Sequence, residues 1–168
     1  KKNFLTIISE LLIKEEKIKD TNYLVIIIKW FSILVVISGT INFVQESFGI
    51  FIEPPELSND LIFFLSLTLA PITEEIGFRV ILIGIPLFLM YAYKSSLKSF
   101  FYSLWHPHKN LDIVNNKKAI LLITLVGVFF GVAHIISGEP WSVGKFTQAA
   151  VSGIIIGWVY YRYGLITA

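Results

Sequence analysis

Long apolar blocks separated by short polar stretches set the pattern of this chain. Leu24 to Val44 is the first block, with Lys29 as its one charged residue. As a helix it would measure roughly 31 Å, enough to cross the hydrocarbon core of a bilayer. Lys29 lies near its start, where a lysine can snorkel to the interface. Leu61 to Tyr93 is the second block, divided by Pro71. The proline is expected in the first turn of a new helix running to about residue 93. That would place Glu74 and Glu75 near a helix N-terminus, where the dipole favours negative charge. Pro86 is expected to kink the same helix. Ala119 to Ile136 and Phe146 to Tyr161 are the third and fourth blocks. Ahead of them, residues 4–18 arrange Phe4, Ile7, Ile8, Leu11, Leu12 and Ile18 among Lys14, Glu15, Glu16 and Lys17. This is an amphipathic helix pattern, suited to a membrane surface or to packing on the rest of the protein. The expected fold is all-α: a polytopic membrane helix bundle of about four spans with an N-terminal amphipathic helix. Residues 1–168 read as one integral membrane domain, incomplete at both ends.

The polar stretches carry their own signals. Glu53-Pro54-Pro55-Glu56 interrupts any helix. From Glu46 to Asp60 there are four acids and no Lys or Arg. Lys94 to Lys118 is expected to be a polar connection with a short apolar piece, Phe100 to Trp105. Its five lysines place it on the cytoplasmic side by the positive-inside rule. His106-Pro107-His108 within it is a weak metal signal and fits interfacial histidines better. Gly127 and Gly131, then Gly153 and Gly157, repeat a small-xxx-small spacing that lets helices approach closely. Gly131 and Gly157 are therefore expected at helix contacts. Trp158, Tyr160, Tyr161, Arg162 and Tyr163 resemble an interfacial aromatic belt.

Composition agrees with the membrane reading. The chain is 55% hydrophobic and 15% charged, against roughly a quarter charged residues in soluble domains. A formal net charge of +2 argues against nucleic acid as a partner. With no cysteine, disulfides, thiol nucleophiles and cysteine metal sites are excluded.

Within this apolar background the ionisable residues stand out, because charges inside a bilayer are expensive and usually functional. Glu75 and Arg79 are four apart, the favoured order for an acid–base pair on one helix face. Glu74 is turned about 100° from Glu75 and has no obvious partner in its own helix. Phe130 and His134 are also four apart, on another helix, and His134 falls at a depth similar to that of Glu74. An unpaired buried carboxylate, a neighbouring neutralised one and a membrane histidine are what hydrolytic chemistry could use.

The motifs EExxxR (Glu74, Glu75, Arg79) and FxxxH (Phe130, His134) resemble those of the CAAX protease and bacteriocin-processing family, also called the Abi family, over roughly Leu61 to Ala168. The resemblance implies an intramembrane glutamate endopeptidase in which Glu74 and His134 activate a water for attack on a scissile carbonyl. Glu75, Arg79 and Phe130 would organise the site. It implies no metal; the alternative places a divalent ion such as zinc among Glu74, Glu75 and His134. The implied partner is a membrane-associated peptide or protein, prenylated or not, held in the bilayer or in a membrane-protein complex. The cell membrane is the expected location. The family's third motif, a histidine followed four residues later by asparagine or aspartate, would fall beyond Ala168, in a further span. A non-catalytic reading, a membrane binding or bacteriocin self-immunity protein of the same family, stands beside the enzyme.

Overall fold

The computed structural model describes residues 22–53, 59–92, 96–113, 116–136 and 142–168. The amphipathic segment at 4–18 lies outside the described residues. The first helix, α1, is Tyr23–Ser47. Asn22 starts it by accepting the Leu24 N–H at 3.0 Å, a standard N-cap contact. Only Ile26 of this helix is buried. Phe31, Val36 and Phe43 are 65%, 66% and 71% exposed, a surface suited to lipid rather than water.

A long rod follows in three consecutive parts: α2, Asp60–Glu74; a π-helical segment, Glu75–Gly84; and α3, Ile85–Tyr91. Its cap is Asn59, whose Oδ1 accepts the N–H groups of Leu61 and Ile62 at 2.9 and 3.2 Å. The expectation that a helix begins at Pro71 is corrected, because Pro71 lies inside α2. Glu74 and Glu75 therefore sit mid-rod, not at a positive helix end. A proline inside a helix forfeits one backbone hydrogen bond. Breaking the helix within lipid would strand several polar groups, which is worse. Thr73 also binds back to Leu69 O and Ala70 O at 3.2 and 3.0 Å.

The remaining elements are α4, Leu97–Trp105; the short α5, Pro107–Asn110; α6, Asn116–Ile136; α7, Lys145–Tyr163; and a 3₁₀ turn, Leu165–Thr167. The described residues are all helix and connections, without strands, as an all-α membrane bundle requires. Among them, Tyr23–Ser47 and Asn116–Ile136 are each long and apolar enough to cross a membrane.

α6 and α7 form the tightest pair, and glycine is the reason. A Cβ on Gly131 would lie 2.8 Å from both Ala150 Cβ and Phe146 O. One on Gly127 would lie 2.6 Å from Ile154 N. On Gly157 it would meet side chains instead, Ile83 Cδ1 at 3.0 Å and Ile123 Cγ2 at 3.1 Å. The expected helix contacts are thus present, with a gradation. Backbone cannot move aside as a side-chain tip can, so Gly131→Leu should destabilise more than Gly157→Leu. The overpacking cost is about 1–3 kcal/mol. Thermal melts of the two variants check this order; equal midpoints would contradict it.

The 94–118 stretch differs from the simple polar connection expected. Ser96 caps α4 through the Ser99 N–H at 3.3 Å, and α4 returns alongside α3, with Phe100 edge-on to Phe88 at 5.0 Å. Ser103, Pro107 and Leu111 are buried. The carbonyls at the end of α4 find dedicated donors, which pin it in place. Asn110 Nδ2 donates to Tyr102 O and His106 O at 3.0 and 2.9 Å, and the Tyr160 hydroxyl donates to Leu104 O at 2.7 Å. The Tyr161 hydroxyl donates to Asn116 Oδ1 at 2.7 Å. Tyr160 and Tyr161 are 0% and 4% exposed. The expected aromatic belt is corrected at these two positions: they are core residues that join helix ends.

The two histidines of this region also face inward. His106 stacks on Tyr23, ring centroids 6.3 Å apart and nearly parallel. His108 lies 5.4 Å from the Tyr161 ring. Burial pushes the His106 imidazole below its ordinary range, and Lys109 adds to this. Burial and Arg162 do the same to His108. A lowered folded-state pKa means that the unfolded chain binds more protons as pH falls below about 6.5. The contribution of His106 is present above that pH and is lost as pH drops through its folded value. The melting temperature should therefore fall on acidification from about pH 6.5, and less steeply in His106→Gln. An identical slope in the variant would contradict this.

Candidate active site

The rod and α6 meet around Arg79, and α7 reaches the same region at Gly153, against Phe130. This side chain is 1% exposed although it lies in the middle of an apolar helix. Two interactions offset the cost of burying it. Its Nε lies 3.3 Å from Glu75 Oε1, and its guanidinium lies 4.9 Å from the Phe130 ring centroid, a cation–π contact strengthened by desolvation. The π register is compatible with the first of these. In an α-helix four residues overshoot a turn by about 40°. The i→i+5 pattern takes more residues per turn, so over the same four residues the rod undershoots a turn instead, and the pair meets at either register.

Phe130 is the joint between the two motif helices. Phe78 meets it edge-on at 4.7 Å from the rod. His134 meets it at 4.5 Å, also edge-on, from its own helix. The His134 ring donates from Nδ1 to Phe130 O at 2.9 Å. A carbonyl can only accept, so Nδ1 carries a proton and Nε2 of the neutral ring is left with a lone pair. His134 sits half-buried in the last turn of α6.

Glu74 joins this group through its charge, which acts on Glu75, Arg79 and Lys145. Lys145 is the first residue of α7, and its ammonium donates to Gln148 Oε1 at 2.8 Å. The turn ahead of it is fastened to the chain after α1. Ser142 Oγ donates to Phe51 O and accepts the Glu53 N–H, both at 2.9 Å, and Gln45 Nε2 donates to Gly144 O at 2.9 Å. Lys145 and Gln148 were not among the sequence candidates. Their only signal there is position, at the edge of the short loop that follows the histidine helix.

Of the predicted residues, Glu75, Arg79, Phe130 and His134 thus form one contiguous chain of contacts. Glu74 adjoins it at the end where α6 finishes and α7 starts. Glu75 Oε2 and Arg79 Nη1 are buried with no hydrogen-bond partner among the described residues. Such groups are costly, about 1–3 kcal/mol each, and are kept where a site needs them. Among the described residues no three His, Asp or Glu side chains gather as a metal ion would require. Ile62, Leu65, Ser66, Leu69, Ala70 and Thr73 form an open, largely apolar face along α2 that ends one residue short of Glu74.

The sequence model of a family described as type II CAAX prenyl endopeptidase, Rce1-like, matches residues 57–168. The match spans both motif helices and α7. No curated protein and no solved structure matches the chain.

Proposed function

This membrane protein belongs to the Rce1-like family of type II CAAX prenyl endopeptidases, and from that premise we propose that it is a multi-pass intramembrane endopeptidase of the cell membrane, working without a metal ion. Glu74 is the general base. With His134 Nε2 it takes up a water, removes its proton and directs the oxygen at the scissile carbonyl. Glu75 holds Arg79, and Arg79 holds Phe130 and so the histidine helix. Arg79 is buried, so it acts by holding Phe130 in place and by placing a fixed charge in a dry site. The observation that carries this reading is the Glu75–Arg79–Phe130–His134 chain of contacts. It joins two motifs that are 51 residues apart between Arg79 and Phe130. The open apolar face on α2 suits the lipid-like part of a membrane-anchored peptide or protein, prenylated or not.

Cleavage of prenylated and unprenylated C-terminal peptides by the reconstituted protein, with and without a chelator, tests this. Cleavage that survives the chelator is expected. Loss under the chelator with recovery on adding zinc would move the chemistry to a metal among Glu74, Glu75 and His134. Peptide binding without any cleavage would favour the binding or immunity reading.

A further inference from the structure

Helix α4 has two faces of different character. Its inner face, Phe100, Ser103 and Leu104, packs on Phe88 and Tyr160 and closes against Gly84. Its outer face carries Leu97, Phe101 and Trp105, spaced four apart on one stripe and 80%, 67% and 48% exposed. Tyr102, beside them, is 55% exposed. A stripe of this size left to water would be a liability. Around it the charge has one sign. Between Ser96 and Lys118 the sequence holds four lysines, Lys98, Lys109, Lys117 and Lys118, against one acid, Asp112. All four lysines are exposed, as is Arg162 at the end of α7. Lys98 Nζ lies 6.0 Å over the Tyr102 ring, so one cation sits beside the apolar stripe. At the opposite end of the bundle the corresponding residues include Glu46 and Glu53.

We propose that α4 and the joint after it form a docking surface for the anionic phospholipid headgroups of one leaflet. The apolar stripe enters the headgroup–acyl boundary, and Lys98 and Lys109 meet the phosphates above it. An apolar stripe bordered by lysines, with Trp and Tyr in it, is the makeup of an interfacial helix. A protein partner fits less well, because lysine is depleted from the cores of protein interfaces. The surface also bears on the rod. Leu104 presses on Gly84, the last residue of the π segment that holds Arg79, so headgroup binding steadies the element behind the site. Nothing in this inference depends on whether the protein cleaves peptides.

The test uses the whole chain. In vesicles of brominated phosphatidylcholine, Trp105 emission should be quenched, and the quenched fraction of the total emission should fall in Trp105→Phe. Binding of a short-chain phosphatidylglycerol to the detergent-solubilised protein should weaken about fivefold per lysine removed, so about twenty-five-fold in Lys98→Gln/Lys109→Gln. Inorganic phosphate should not compete. Unquenched Trp105 would overturn the proposal and assign the stripe to water or to a protein partner. Equal lipid binding by the double variant would overturn it, as would competition by inorganic phosphate, which would mark a free-anion site.

Discussion

Glu74→Gln should abolish peptide cleavage while leaving a folded protein with an unchanged melting temperature. The substitution keeps the shape and the hydrogen-bonding reach of the side chain and removes the base. General-base catalysis contributes about 10²–10⁴-fold, so the residual rate should be lower by at least the smaller of these factors. The fold should tolerate the change because Glu74 is only half-buried and lies outside the Glu75–Arg79–Phe130 contacts. His134→Ala should lose activity in the same way. It removes Nε2 and also the bond from Nδ1 to Phe130 O, so a modest fall in stability should accompany it. The measurement is cleavage by purified variants in a bilayer beside thermal melts. Full activity in Glu74→Gln would sink the mechanism, whatever the melts show.

The residues of the candidate site stand out in the sequence singly. A carboxylate pair and an arginine have no place in an apolar block unless they do something. Spacing alone puts Glu75 with Arg79, and Phe130 with His134. The glycine spacing at Gly127, Gly131, Gly153 and Gly157 likewise encodes the α6–α7 contact, since only a missing Cβ permits it. What stayed hidden depends on register and on distant partners. No residue pattern marks an i→i+5 segment, so the π geometry at Glu75–Gly84 is a product of packing. Pro71 is a helix starter by local preference, and the membrane overrides that preference by penalising an open backbone more than one lost bond. Tyr160 and Tyr161 look like belt residues because aromatics with hydroxyls suit an interface. They become core only when Leu104 and Asn116, 56 and 45 residues away, supply their acceptors. Lys145 is the same kind of case, since nothing in its own helix connects it to Glu74.

The opposite behaviour is expected one residue along. Glu75→Gln should cost stability as well as activity, because it leaves the Arg79 guanidinium, 1% exposed, without its counter-charge. Breaking a buried pair costs about 3–5 kcal/mol. The Glu75 side chain is 24% exposed, so the lower end, about 3 kcal/mol, is the appropriate figure. The cation–π contact with Phe130 is common to both proteins and so does not offset that loss. Poor expression and a lowered melting temperature should follow. Removing both charges separates the two roles of the pair. Glu75→Gln/Arg79→Met leaves no stranded charge and fills the space with an apolar chain, and such replacements are often neutral or stabilising. The double variant should therefore melt close to the wild type yet remain inactive, because no cation then holds Phe130 and the histidine helix. A double variant as unstable as Glu75→Gln would show that the pair is not the source of the loss. A stable and fully active one would remove Arg79 from the site and leave it a packing residue.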